Sequence, residues 1–212
     1  MDIREIIDKS LEKVKSFDPE IIVKELMIND FLSVEHGIRD VRDKDECTNY
    51  CWFPGFIELL KPKMIVELGS AMGVALVAML QSPYKDFTLY GTTLEEHGLE
   101  FCYVDKKKYP NLTCITENYM DLGIWPKDVD LGKTDLFYID GLHKGPHVTE
   151  QLLLYKPFFK SGAIIAFDDI FMSPDMAAMW HGLDDILDIS YKTELPLHFT
   201  GWGLIQIGGK NV

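Results

Sequence analysis

The sequence predicts a single α/β domain built around a mostly parallel sheet that is covered by helices on both faces. Short apolar, β-branched or aromatic runs alternate with segments long enough to form crossover helices. Runs such as MIVEL, LFYI and AIIAF are almost continuously apolar, which is typical of strands buried on both faces. The length of 212 residues, with 47% hydrophobic and 26% charged side chains, fits one globular domain.

The chain begins with two predicted helices and a polar loop. Apolar side chains recur with helical spacing over residues 2–32, whereas residues 33–48 are polar and have no periodic apolar face. We therefore expect N-terminal helices and a lid-like loop in residues 1–48, followed by the α/β domain in residues 49–212.

The strands follow in a regular order. Five are predicted to be parallel, one helical stripe covers residues 176–187, and two strands close the chain. The predicted strands are 64–68, 87–90, 112–116, 136–139, 163–167, 191–195 and 203–207.

Charge and composition limit the partners and the compartment. The net charge of −13 opposes the binding of polyanions, so nucleic acid is a poor candidate substrate. The first residues lack the apolar stretch of a signal peptide, and no apolar run approaches 18 residues. The four cysteines lack zinc-site spacing, and we expect them to be reduced. These features predict a cytoplasmic protein that spans no membrane.

A glycine turn follows the first strand. In IVELGSAMGVALVAML, the segment from Gly69 to Gly73 separates a strand from a helix, and ligands of open α/β sheets bind beyond such strand ends. A glycine lets backbone approach a ligand closely, and the helix N-terminus offers free N–H groups. The G-x-x-x-G spacing differs from that of dinucleotide-binding turns, and an ordinary tight turn remains an alternative.

Glu67 is an acid within an otherwise apolar strand, two residues before this glycine. Burial of a carboxylate is costly unless the group is paired or hydrogen-bonded. Glu67 should therefore either hold the glycine turn in shape or accept hydrogen bonds from a cationic ligand.

Three aspartates follow the fourth and fifth strands. Asp140 ends LFYID, and Asp168 and Asp169 end AIIAFDD. The carboxyl ends of neighbouring parallel strands lie about 4.8 Å apart, so these acids can converge. Oxygen ligands suit Mg²⁺, Mn²⁺ or Ca²⁺ rather than zinc. The alternative is that Asp168 or Asp169 only caps the following segment.

These motifs resemble a known family. ExGxxxG at residues 67–73, together with DLFYIDGLHKGPHVTEQLLLYKPFFKSGAIIAFDDI at 135–170, is similar to class I S-adenosylmethionine-dependent methyltransferases. The resemblance covers about residues 50–207. It is greatest to the branch whose fourth strand ends in D-G-x-H and whose fifth strand is followed by D-D. That branch includes antibiotic and sugar O-methyltransferases and is similar in plan to catechol O-methyltransferase. It implies a Rossmann-like seven-stranded sheet with an antiparallel last strand, O-methylation of a small hydroxylated acceptor, and an oligomeric state that stays open.

The resemblance also implies which residues bind the cofactor. The turn and its acid would surround the methionine part, Tyr119 and Met120 would pack against adenine, and Thr93 stands where the family usually has a ribose-binding acid, with Glu95 close enough to substitute. The full implied set is Glu67, Gly69, Ser70, Ala71, Gly73, Thr93, Glu95, Tyr119, Met120 and Asp140.

By the same resemblance, Asp140, Asp168 and Asp169 would hold Mg²⁺ or Mn²⁺ against the substrate oxygen. His143 takes the place of a catalytic lysine in the catechol enzyme, which makes it a candidate general base or orienter of the acceptor hydroxyl. Asp140 is the other candidate proton acceptor. His143 could instead bind the metal or the loop. The sequence suggests no partner for His147, His181 or His198.

Three alternatives stay open: a metal-independent methyltransferase, a nicotinamide-dependent oxidoreductase, and a binding domain without turnover. The glycine spacing and the missing acid after the second strand count against the oxidoreductase.

Overall fold

The computed structural model describes residues 1–26, 49–71, 73–93 and 107–209. The predicted polar loop 33–48 and Glu95 lie outside these residues. The helices are α1 (Ile3–Val14), α2 (Glu20–Leu26), α3 (Trp52–Leu60), α4 (Val74–Leu80), α5 (Gly145–Tyr155), α6 (Pro174–His181) and α7 (Leu183–Ile186). The strands are β1 (Met64–Leu68), β2 (Thr88–Thr93), β3 (Leu112–Thr116), β4 (Leu136–Ile139), β5 (Ile164–Phe167), β6 (Ile189–Leu195) and β7 (Trp202–Ile207).

The seven strands form one sheet in the order β3-β2-β1-β4-β5-β7-β6. The first five strands pair in parallel, and β7 runs antiparallel to both β5 and β6. This confirms the predicted mostly parallel sheet with an antiparallel last strand. Strand β2 extends three residues beyond its predicted end: it continues to Thr93 because Gly91, Thr92 and Thr93 pair with β3, although their small side chains obscured a strand in the sequence.

The sheet has an apolar layer on each face, because successive strand side chains point to opposite sides. Ile65 and Tyr138 belong to one core with residues of α1, α3 and α4. Their neighbours Val66 and Phe137 belong to the other core with residues of α5 and α6. The central strands are therefore buried on both sides, as their near-continuous apolar sequences predict.

The N-terminal helices are part of the first of these cores. Ile3, Ile6 and Ile7 of α1 are buried against the same cluster as Trp52 and Phe53 of α3. None of the helices in the described ranges is both long and apolar enough to cross a lipid bilayer.

The chain order places a crevice between β1 and β4. From β1 the chain continues to β2 and β3 on one side, and β4 and β5 then occupy the other side. The loops that leave β1 and β4 therefore diverge at the carboxyl edge of the sheet, which is the usual ligand position in such folds. Gly69 directly follows β1, and Asp140 directly follows β4.

Candidate active site

The glycine turn after β1 is held by the end of β2 and packs against the loop after β4. The backbone N–H groups of Gly69 and Ser70 donate to the carbonyl of Thr92 at 3.1 and 2.7 Å. Gly69 has a φ of +103°, and a Cβ there would lie 2.3 Å from Cα of Gly141. The sequence suggested that Gly69 makes room for a ligand, but the immediate requirement is contact between the two loops.

Glu67 lies beneath this turn with its side chain fully buried. Neither carboxyl oxygen has a hydrogen-bond partner of normal geometry among the described residues. Burial raises the pKa of Glu67 to about 8; the nearby Ser70 hydroxyl acts in the opposite direction, and the charge of Asp168 adds to the increase. A buried carboxyl group without a partner is costly, so this position fits a ligand that brings a cationic donor.

A cavity of about 430 Å³ opens at the crevice between β1 and β4, and we call it the switch-point cavity. Its walls come from the ends of four strands and from the start of α5. They are Gly69, Ala71, Thr93, Asn118, Tyr119, Met120, Asp140, Gly141, Leu142 and His147. Six of the residues that the sequence assigns to the cofactor are in this set. Glu67, Ser70 and Gly73 are buried and are not among the wall residues.

Four wall residues were not anticipated: Asn118, Gly141, Leu142 and His147. The Tyr119 hydroxyl lies 3.1 Å from Nε2 of His147 and accepts a hydrogen bond of 3.3 Å from the backbone N–H of Leu142. A Cβ on Gly141 would lie 2.4 Å from this hydroxyl. Their positions in the sequence could have identified three of them, because Gly141 and Leu142 follow Asp140 and His147 lies in the first turn of the next helix.

A second group of side chains adjoins the cavity, and we call it the acid–histidine cluster: Asp140, His143, Asp168, Asp169 and His198. Nε2 of His143 lies 3.5 Å from Oδ1 of Asp140 and 3.6 Å from Oδ2 of Asp169. Tyr138 donates its hydroxyl to Oδ2 of Asp140 at 3.0 Å. The pKa of Asp140 is raised well above its ordinary value by burial and then by the charges of Asp168 and Glu67.

His198 connects both aspartates that follow β5. Its Nε2 lies 2.7 Å from Oδ1 of Asp168, and its Nδ1 lies 2.6 Å from the hydroxyl oxygen of Thr200. Thr200 in turn donates to Oδ1 of Asp169. The sequence suggested no partner for His198. The structure provides one because β6 and β7 form a hairpin whose loop reaches the carboxyl edge of β5.

The cluster has the donor chemistry of a divalent-cation site. Among the described residues, one set of His, Cys, Asp and Glu side chains has its ligand atoms within 4.8 Å of one another, and it consists of Asp168, Asp169 and His198. Asp140 adjoins this set through His143. Carboxylates this close and this buried repel one another, and a cation would relieve that repulsion.

The seven-stranded sheet is the fold of class I methyltransferases, whose enzymes depend on S-adenosylmethionine. Residues 66–170 match the family model described as "Methyltransferase domain". No curated protein matched the sequence significantly.

Solved structures of methyltransferases share the fold. The SAH-bound Podospora anserina methyltransferase PaMTH1 is 14% identical, with a TM-score of 0.68 over 97% of this chain and 96% of that one. An O-methyltransferase from Bacillus cereus in complex with SAH is 11% identical, with a TM-score of 0.64 over 97% and 100%. The O-methyltransferase TomG from Streptomyces achromogenes, in complex with SAM, is 12% identical, with a TM-score of 0.55 over 77% and 81%.

Proposed function

We propose that the protein transfers the methyl group of S-adenosylmethionine to a hydroxyl oxygen of a small molecule and uses a divalent cation to do so. One observation carries the proposal: Asp140 belongs both to the wall of the switch-point cavity and to the acid–histidine cluster. A methyl donor in the cavity and an acceptor at the cluster would therefore meet beside one residue.

The residues around the switch-point cavity fit the methyl donor. Glu67 offers two unpartnered oxygens for an amino group, and the left-handed backbone at Ala71 (φ +40°) and Gly73 (φ +84°) shapes the turn beside the cavity. Tyr119 and Met120 supply the flat and apolar surface that an adenine ring requires, and Thr93 offers a hydroxyl for the ribose. When bound, S-adenosylmethionine supplies a methyl group made electrophilic by its sulfonium.

The acid–histidine cluster fits Mg²⁺ or Mn²⁺ through Asp140, Asp168 and Asp169. When bound, such an ion supplies Lewis acidity that lowers the pKa of an acceptor hydroxyl. The aspartates themselves orient the acceptor by accepting hydrogen bonds from its hydroxyl groups. Asp169 has a left-handed backbone (φ +56°), which an aspartate tolerates better than most residues and which brings its carboxylate within reach of Thr200.

We propose that His143 takes the proton from the acceptor hydroxyl. Its Nε2 lies between Oδ1 of Asp140, 3.5 Å away, and Oδ2 of Asp169, 3.6 Å away. Its side chain is 24% exposed, so the proton can pass on to solvent. Asp140 is the alternative proton acceptor, because it lies at the boundary of both sites.

The surroundings of the cluster favour an acceptor with an apolar part. Seven large hydrophobic side chains are exposed in the part of the chain that the structure describes. Four of them lie within three residues of a member of the cluster, and we call them the apolar rim: Leu142, Phe171, Met172 and Phe199. Exposed apolar side chains that concentrate beside a polar site are characteristic of ligand-binding surfaces.

The net charge of −13 supports a small acceptor over nucleic acid. We also propose that the enzyme acts in the cytoplasm without membrane attachment, and that association into a homo-oligomer is compatible with this function.

Two experiments test the proposal. The first is calorimetry with S-adenosylhomocysteine, NAD and divalent chlorides. The second measures methyl transfer from labelled S-adenosylmethionine to amphipathic hydroxyl compounds. We expect S-adenosylhomocysteine to bind in the micromolar range or tighter and NAD not to bind. Binding of NAD without binding of S-adenosylhomocysteine would overturn it in favour of an oxidoreductase.

A further inference from the structure

The β6–β7 loop places an imidazole in the acid–histidine cluster that the family motif does not contain. We propose that His198 is a direct ligand of the divalent cation through Nε2, so that the site combines imidazole with carboxylates and prefers Mn²⁺ or Co²⁺ to Mg²⁺. This inference rests on the cation of the proposed function and names a ligand and a preference for it.

The hydrogen bonds of Thr200 determine which nitrogen of His198 is free to coordinate. A threonine hydroxyl has one hydrogen, and Thr200 donates it to Asp169. The Thr200 oxygen must therefore accept from Nδ1 of His198, 2.6 Å away. Nδ1 carries a hydrogen, and the neutral ring consequently presents the lone pair of Nε2 to Asp168.

Nε2 of His198 and Oδ1 of Asp168 are close enough to require a shared proton or a metal ion. The two atoms lie 2.7 Å apart, and two lone pairs do not face each other at that distance without a proton or a metal ion between them. Adjacent ligands of an octahedral ion with bonds of about 2.1 Å lie about 3.0 Å apart. A small outward movement of either side chain therefore turns this contact into a pair of metal ligands.

The ring of His198 is held in this orientation before any ion binds. Its side chain is 11% exposed, and its ring meets that of Trp202 edge to face, with 6.0 Å between centroids. A ligating histidine whose second nitrogen donates to a fixed acceptor is the usual arrangement in protein metal sites. Here Thr200 is that acceptor, and Asp169 holds Thr200 in turn.

The nature of the donors leads to the metal preference. Mg²⁺ is bound in proteins almost entirely through oxygen, whereas imidazole suits later first-row ions. Three aspartates alone would suit both Mg²⁺ and Mn²⁺. Addition of one imidazole should raise the affinity for Mn²⁺ and still more for Co²⁺.

The inference is tested by titrating the metal-free protein separately with MnCl₂, CoCl₂ and MgCl₂. Calorimetry measures each affinity, and visible absorption also follows the binding of Co²⁺. We expect Co²⁺ and Mn²⁺ to bind at least tenfold more tightly than Mg²⁺. In His198→Ala the Co²⁺ affinity should fall at least tenfold and the Co²⁺ absorption bands should change, while the Mg²⁺ affinity changes little. His181→Ala, on α6 and outside the cluster, is the control and should behave as wild type.

Circular dichroism and binding of S-adenosylhomocysteine show whether each variant is folded, so that a loss of metal affinity can be distinguished from misfolding. His198→Gln keeps a polar side chain of similar length. Thr200→Val removes the acceptor of Nδ1 together with the donor to Asp169; the loss of such supporting contacts should weaken Co²⁺ binding about 10- to 100-fold. Co²⁺ affinity and spectrum equal to wild type in any folded His198 variant would overturn the inference alone. If wild type binds S-adenosylhomocysteine but no divalent cation, the inference fails and methyl transfer stands without a metal.

Discussion

The hydroxyl of Tyr119 lies 3.1 Å from Nε2 of His147 across the wall of the switch-point cavity. The same hydroxyl accepts a hydrogen bond from the backbone N–H of Leu142. One oxygen atom therefore joins the loop after β3, the loop after β4 and the first turn of α5. These three segments form much of the wall that would surround the cofactor.

Tyr119→Phe should weaken binding of S-adenosylhomocysteine about three- to tenfold, because a hydrogen bond of this kind contributes about 1 kcal/mol. The ring would remain to pack against adenine, so binding should not be abolished. Calorimetry measures the change. Tyr84→Phe is the matched control: its hydroxyl donates a hydrogen bond to the carbonyl of Asp86, far from the cavity. Equal affinity in Tyr119→Phe and Tyr84→Phe would show that the bridge does not shape the cofactor site.

Glu67→Gln should stabilise the ligand-free protein by an amount that grows with pH. Above pH 4.5 the unfolded chain ionises Glu67, whereas the folded protein keeps the proton until about pH 8. The folded state then binds more protons, so wild-type stability falls with rising pH by up to about 1.4 kcal/mol per unit over this window. Thermal unfolding of both proteins in EDTA, between pH 4.5 and 8.5, should show a difference that widens to about pH 8 and then levels off. A difference independent of pH would contradict the raised pKa.

The same carboxyl group should couple cofactor binding to proton release. A cationic amino group beside Glu67 favours its ionised form, so binding below pH 8 should expel a proton in wild type and none from this position in Glu67→Gln. Calorimetry in two buffers with different ionisation enthalpies counts the protons released. The same count in both proteins would place the amino group elsewhere.

His143→Ala should lower kcat at least about a hundredfold, with little effect on the affinity for S-adenosylhomocysteine, because general-base catalysis typically contributes about 10² to 10⁴ in rate. His143 is absent from the wall of the switch-point cavity, which is why cofactor affinity should be preserved. Steady-state kinetics with an identified acceptor, together with a pH–rate profile, provide the measurement. A variant that keeps most of its kcat would leave Asp140 as the proton acceptor.

Removal of divalent cations should abolish turnover, and addition of MnCl₂ should restore it, because the cluster brings several carboxylates together. Asp168→Asn should lower metal affinity far more than cofactor affinity. Asp86→Asn, at an exposed ion pair with Lys63, serves as the control for loss of a charge. Full turnover of metal-free enzyme in excess EDTA would favour the metal-independent mechanism.

Phe199→Ser should raise KM for an acceptor with an apolar part several-fold and change kcat less. Phe199 is 97% exposed beside His198, so truncation removes contact surface without disturbing the core. Leu153→Ser, at a 50% exposed leucine of α5, is the matched control. If KM rises equally in both variants, or in neither, the apolar rim takes no part in acceptor binding.

The sheet was predictable because its strands are apolar, short and separated by regular spacings, and Glu67 and Asp140 were found by their positions in and after such strands. His198 and Thr200 could not be found in this way. They come together with Asp168 only through the antiparallel pairing of β5, β6 and β7, which is a tertiary contact across 30 residues of sequence. His147 was missed for a similar reason, since its partner Tyr119 lies 28 residues earlier.

The direction of β7 also has an evolutionary consequence. Because β6 and β7 form a hairpin, their connecting turn returns to the carboxyl edge of the sheet with His198, Phe199 and Thr200 in succession. This turn lies beyond residue 170, where the match to the family ends. Mutations in three adjacent codons could thus alter the chosen metal and the accepted substrate together, while the inherited aspartates and glycine turn remain unchanged.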